Sequence, residues 1–307
     1  MLLLIKYTLL YGIVLMLVAL GGMFSEHSGV INIALEGIMV VGGLAGVLVT
    51  ASMPTNMAPA LIVLAAVVAA AVCGMLYSLL LAFASINLKA DQTIGGTALN
   101  MLATAIAMIL AKNFNGSTSA KISYTNKPFL FSIGGLELSI FIPLGIVLLV
   151  VSYIVMYKTR FGLRLRACGE HPQAADSVGI NVYKMRYAGV LISGFLGGVG
   201  GLAYTVAAGS GFNSDVGGYG FLALAVMIFG NWKPLPILAA SLFFALFKVI
   251  AALNSTLTFL PKFEGVKEIS NFYQMLPYIV TMIVLIFTSK NSPAPKAEGI
   301  PYDKGSR

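Results

Sequence analysis

Long apolar blocks alternate with short polar stretches along the whole chain. A block of about 20 mainly apolar residues is long enough to cross a bilayer as a helix. That rule predicts spans near 2–23, 30–50, 60–84, 93–111, 139–157, 187–208, 219–231, 235–253 and 272–289. The seventh, YGFLALAVMIFG, is too short to cross unaided; it is tilted, broken, or extended by residues 210–218. The fold class is therefore an all-α integral membrane protein, a polytopic helical bundle of about nine spans (eight to ten). The first segment lacks a basic region ahead of its apolar run and has no A-x-A site after it, so it is expected to stay in place as a span.

The polar stretches are unequal. Residues 158–186, KTRFGLRLRACGEHPQAADSVGINVYKMR, carry six basic residues, Lys158, Arg160, Arg164, Arg166, Lys184 and Arg186, against two acidic ones, Glu170 and Asp176. Short loops rich in Lys and Arg stay on the cytoplasmic side. The part HPQAADSVG, held between Gly169 and Gly179, has helical character, so the loop is a structured projection. Placing it inside assigns the other loops by alternation. The inner set then holds 12 basic residues and the outer set 5, with the N-terminus outside and the C-terminus inside. The outer loop 112–138, rich in Gly, Ser, Asn and Pro, predicts an irregular or short-stranded cap. Residues 1–289 form the permeating domain, and residues 290–307, with Pro and Lys but no apolar periodicity, are expected to be a disordered cytoplasmic tail.

Composition agrees with a membrane class. The 307 residues are 58% hydrophobic and 10% charged, with mean hydropathy +0.92, whereas a soluble domain carries about 25% charged residues. The net charge of +8 sits largely in loops beside spans, so lipid is the expected contact and nucleic acid is not. Cys73 and Cys168 are isolated, and His27 and His171 lack ligand spacing, which predicts no disulfide and no metal site. No Ser/His/Asp arrangement and no G-x-x-x-x-G-K-[ST] occurs, so neither a catalytic residue nor a bound cofactor is expected.

A charge inside a membrane is costly and points to a site or a water-lined path. Glu36 is such a residue, and Asn32, four positions earlier, is expected on the same helix face; the competing reading is a cap near the end of its span. Thr97 and Asn100 form a second polar patch, able to bind solute or to join helices. Gly194, Gly197, Gly198 and Gly201 lie at small-xxx-small spacings that allow close helix approach. Gly198, Gly200 and Ala203 match a dinucleotide fingerprint, but in a membrane span and without a preceding strand. Trp232 and Lys233 read as interface anchors. Residues 22–46 and 207–230 both run from a polar turn into an apolar segment, an inverted repeat of the kind whose halves meet at transport sites. From these residues alone, a partner-driven permease and an ion-coupled carrier using Glu36 both stand.

The run TRFGLRLRACGEHPQAADSVGINVYKMRYAGVLISGFLGGVGGLAY resembles the membrane permeases of bacterial ABC importers that include the ribose and branched-chain amino-acid permeases. GVINIALEGIMVVGG and ADQTIGGTALNML look most similar to nucleoside permeases served by lipoprotein receptors of the basic-membrane-protein type. The likeness spans about residues 20–289. It implies a plasma-membrane permease paired with a second, often different, permease chain. It also implies a cytoplasmic ATPase that binds ATP below and an external solute-binding lipoprotein above. The coupling loop falls on Glu170, His171, Pro172, Ala174, Ala175, Asp176 and Gly179, with Arg164 and Arg166 on its leading flank. Asn32, Glu36, Thr97 and Asn100 become candidate walls of the solute path. Compared with ribose permeases, the chain is expected to lack one N-terminal span. The solute is expected to be a nucleoside; a simple sugar or an amino acid is the alternative.

Overall fold

The computed structural model describes residues 2–54, 56–116, 118–133, 136–209, 211–253, 275, 279–283, 286 and 294–305. Seven helices in it are long and apolar enough to cross a membrane. They belong to α1 (Leu2–Glu26), α2 (Leu35–Ser52), α3 (Pro59–Ala82, prolonged by a π-helical turn Phe83–Asn87), α4 (Gln92–Asn115), α5 (Phe141–Lys158), α8 (Val182–Ala208) and α10 (Pro234–Ala252). Between α5 and α8 lie α6 (Arg160–Glu170) and α7 (Pro172–Ser177), more helix than the sequence pattern suggests. Helix α9 (Tyr219–Phe229) has 11 residues, about 16 Å of rise, and so cannot cross about 30 Å of hydrocarbon. The ninth expected span, 272–289, lies largely outside the described residues.

The loops gather on two faces. On one, the start of α1 lies near a small antiparallel hairpin, β1 (Leu130–Ile133) and β2 (Leu136–Ser139), where Lys6 approaches Glu137 at 3.9 Å. On the other, α6 and α7 meet the end of α1, the α9–α10 turn and residues 294–305. The segment 294–305 is not a free tail. Ala297 and Tyr302 are buried, and backbone hydrogen bonds join it to Gly169 and Gly29.

Helix α8 is the centre of the bundle, packed on α1, α2 and α3. Its glycines make this possible. A Cβ on Gly198 would collide with the Ala70 carbonyl of α3, and one on Gly201 with the Met39 carbonyl of α2. Gly42 and Gly74 present equally bare surfaces back to Gly198. The fingerprint-like glycines are thus packing surfaces within a helix, and the element directly ahead of that helix is α7, not a strand. Trp232 is not at an interface. It is 4% exposed and donates its indole N–H to Glu26.

Because the atoms facing Gly198 are backbone, they cannot turn aside. Gly198→Ala is expected to cost about 1–3 kcal/mol, lowering the thermal midpoint in detergent. Gly95→Ala, on open space in α4, is expected to leave that midpoint unchanged or slightly higher.

Candidate functional site

Two stretches within the apolar bundle lack regular helix: residues 29–34, ahead of α2, and residues 211–218, ahead of α9. Irregular backbone at that depth persists only where protein or a cavity surrounds it. Both segments meet this condition by alternation: Val30, Asn32 and Ala34 are fully buried in the first, and Phe212, Ser214 and Val216 in the second.

Their backbone polar groups are taken up by neighbours. The Ile31 N–H donates to Gln92 Oε1 at 2.7 Å. Asn100 of α4 accepts from the Gly37 N–H at 2.7 Å and donates to the Ile33 carbonyl at 2.9 Å. Asn32 donates to Ser193 Oγ of α8 at 2.8 Å. In the second segment, Ile122 and Phe212 exchange backbone hydrogen bonds, and Ser214 donates to the Ala120 carbonyl. Gly217 and Gly218 both adopt left-handed backbone, which turns the chain into α9.

The two segments meet at Glu36. Its carboxylate accepts from the Gly218 N–H at 2.8 Å and the Gly220 N–H at 2.6 Å. Glu36 is itself in the first turn of α2, and Gly220 lies against its backbone nitrogen and Cα. The N-termini of α2 and α9 therefore face one another across a single carboxylate. A helix N-terminus carries about half a positive charge, so two such ends repel unless an anion lies between them.

Three tyrosines from three helices cluster beside this junction. Tyr204 and Tyr219 have ring centroids 4.7 Å apart, and Tyr11 lies 5.5 Å from Tyr219. The Lys248 ammonium sits 5.1 Å over the Tyr219 ring. Asp215 and Gly217 are exposed beside them. Sequence reasoning missed these tyrosines because they are spread over α1, α8 and α9, with no spacing in common.

Asn32 and Glu36 do not share a helix face. Helix α2 begins only at Leu35, because Asn100 takes up the Gly37 amide and the Ile33 carbonyl, which leaves Asn32 in the unwound segment. Thr97 and Asn100 do not form one patch either. Asn100 is buried, whereas Thr97 is exposed and bonds back to the carbonyls of Thr93 and Ile94.

On the opposite face, the expected coupling residues fall on two short helices. Thr159 caps α6 by accepting from the Gly162 N–H. Pro172 begins α7, and Gly179, with φ +83°, closes it by donating to the Asp176 carbonyl. Pro172 and Ala175 point inward; Arg164, Glu170, His171, Ala174 and Gly179 are exposed, and Asp176 is half-buried. Arg166 stacks over Tyr157 at 4.9 Å. Leu163 and Val178 are 63% and 74% exposed, unusual for such side chains outside the membrane region. A cavity of about 250 Å³ lies beside α6, lined by His27, Tyr157, Arg166, Glu170, Trp232 and Lys233. Burial, with Arg166 nearby, pushes the His27 imidazole down to about 4. Arg166, Lys233 and Glu170 are the other ionisable side chains in the cavity lining beside Tyr157.

Residues 4–288 match the family described as branched-chain amino acid transport system / permease component. The chain belongs to this family of ABC transporter permeases. The nucleoside ABC transporter permease protein NupC of Lactococcus lactis is 42% identical over 311 residues, covering 96% of this chain and 95% of that protein. The guanosine ABC transporter permease protein NupQ of Bacillus subtilis is 42% identical over 316 residues, covering 98% and 96%. A third relative, the nucleoside ABC transporter permease protein NupB of Lactococcus lactis, is 32% identical over 113 residues, covering 35% of this chain and 30% of its own. The permease is thus a multi-pass transport component and not an enzyme, and its family works with an ATPase and a further permease subunit.

Removing the Asn100 side chain leaves a buried N–H and a buried carbonyl without partners, at about 1–3 kcal/mol each. Asn100→Ala is expected to lower the thermal midpoint of the permease in detergent, while Thr97→Ala, on an exposed face, is expected to leave it unchanged.

Proposed function

We propose that this permease carries a nucleoside inward across the plasma membrane of a bacterium, its N-terminus outside and its C-terminus in the cytoplasm. The observation that carries the solute class is the 42% identity, over nearly full length, to two permeases named for nucleosides and guanosine. The chemistry of the junction suits such a solute. A nucleoside is uncharged, with flat aromatic faces and several N–H and O–H groups. The rings of Tyr11, Tyr204 and Tyr219 offer stacking surfaces, worth about 1–3 kcal/mol per base in comparable settings. The Glu36 carboxylate and the amides of the unwound segments offer acceptors and donors once the two helix ends part. Asn32 and Asn100 hold the wall in place, and Thr97 lies farther out on α4.

The work is done elsewhere. The chain contains no nucleotide-binding loop, so ATP is bound by a cytoplasmic ATPase. That partner docks on α6 and α7, where Leu163 and Val178 supply apolar knobs among Arg164, Arg166, Glu170, His171, Ala174, Asp176 and Gly179. Pro172 and Ala175 root the projection in the bundle. Closure of the ATPase pushes these helices, and the paired broken helices switch access between sides. A second permease chain completes the assembly. An external solute-binding lipoprotein delivers the nucleoside to the hairpin face, where Thr50, Met53, Ile62, Tyr124 and Lys127 line a cavity of about 570 Å³.

The test is uptake by proteoliposomes holding the chain, its ATPase, the second permease and the receptor. Expected is ATP-dependent guanosine uptake that other nucleosides inhibit and ribose or leucine do not. Uptake of ribose or leucine in place of guanosine would replace the solute. Uptake driven by an ion gradient without the ATPase would overturn the mechanism.

A further inference from the structure

The C-terminal segment 294–305 packs on the same face as α6 and α7, between the end of α6 and the start of the unwound segment before α2. Its Ala297 N–H donates to the Gly169 carbonyl, at the end of α6, at 2.8 Å. Two residues later, the Gly299 N–H donates to the Gly29 carbonyl at 3.3 Å. Gly29 opens the unwound segment that leads through Asn32 to Glu36. Gly299 adopts left-handed backbone, and a Cβ there would press on the Ile31 side chain of the same segment. The next carbonyl, of Ile300, accepts from Arg186 Nη1 at 3.0 Å.

Arg186 is 1% exposed, and among the described residues its Nε and Nη2 have no hydrogen-bond partner. A buried guanidinium is costly unless its donors are used, so the Ile300 carbonyl is a strong anchor for the segment. Tyr302 inserts into a small core with Cys168 of α6, Ala175 of α7 and Val182 of α8, its ring edge-on to Tyr183 at 5.3 Å. Asp303 closes the far end through an ion pair with Lys89, beyond α3, at 3.1 Å.

We propose that residues 294–305 form a strap that transmits the movement of α6 and α7 to the unwound segment before α2, with Arg186 and Tyr302 as its positioning residues. The bridge from Gly169 to Gly29 is two residues long and hydrogen-bonded at both ends, so α6 cannot shift without pulling on the segment that carries Asn32. Direct contact helps: Gly169 also abuts the His27 backbone, with no room for a Cβ. The strap adds a second, independent grip beyond that point, on Gly29 and Ile31. This inference rests on the reading of α6 and α7 as the ATPase-docking helices.

The experiment uses the full assembly in proteoliposomes, with the permease truncated after Pro293, or carrying Tyr302→Ala in case the truncation does not assemble. ATP hydrolysis and guanosine uptake are measured on the same vesicles. The expected result is retained ATPase binding and hydrolysis, with uptake per ATP reduced about tenfold by truncation and less by Tyr302→Ala. Unchanged uptake per ATP in Tyr302→Ala and in the truncation overturns the strap. So does loss of hydrolysis and uptake in the same proportion by Tyr302→Ala, since that marks a structural role only. Failure of the underlying reading looks different: Leu163→Asp with Val178→Asp would leave ATPase binding intact in the untruncated chain.

Discussion

Backbone that enters a membrane without helical hydrogen bonds must find partners in surrounding side chains, and the structure is arranged to meet that demand twice. Gln92 and Asn100 serve the segment before α2, and Glu36 serves the segment before α9. The second arrangement depends on the first. Asn100 fixes where α2 begins, and that start sets where the Glu36 carboxylate lies. One anion then holds together two helix ends that would otherwise repel. Under the proposed mechanism the junction opens by parting Glu36 from Gly218 and Gly220.

The remainder of the bundle keeps that junction in register. Helix α8 packs on α1, α2 and α3, and at Gly198 and Gly201 the facing atoms are backbone carbonyls of α3 and α2 rather than flexible side chains. Without a hydrophobic drive between helices in lipid, such close approach is what membrane packing has to work with. Ser193, on α8 between Gly189 and Gly194, also receives the Asn32 amide. Packing and the junction thus share one helix. On the face opposite the hairpin, α6, α7 and residues 294–305 are tied to the ends of the same elements.

Much of this was legible in the sequence, because the large signals are physical and local. Apolar block length revealed the crossing helices, and the Lys and Arg of 158–186 marked one face. The shortness of YGFLALAVMIFG announced a broken crossing. Glu36 stood out because a charge in hydrocarbon demands a reason, and its partners prove to be backbone amides 182 and 184 positions away. No pattern in one chain reveals such a pairing. The start of α2 was misplaced for a related reason: INIALEG is apolar enough to continue a helix, and only the Asn100 side chain, from another helix, unwinds it. The tyrosine cluster and the packing of residues 294–305 were hidden likewise, since each is assembled from distant segments with no periodicity of its own. Pro295, Gly299 and Pro301 make the tail read as disorder, yet Tyr302 and the carbonyl of Ile300 dock it.

The central claim is that a single carboxylate joins the two broken helices and that transport passes through their parting. Uptake by the assembled transporter carrying Glu36→Ala tests it most directly, with Asp91→Asn, an exposed acidic residue capping α4 where Asn caps equally well, as the control. One buried and one part-buried amide left without an acceptor correspond to roughly a tenfold loss of uptake, with assembly retained and the control near normal. Uptake within about twofold of the unaltered chain would show that Glu36 does not hold the junction.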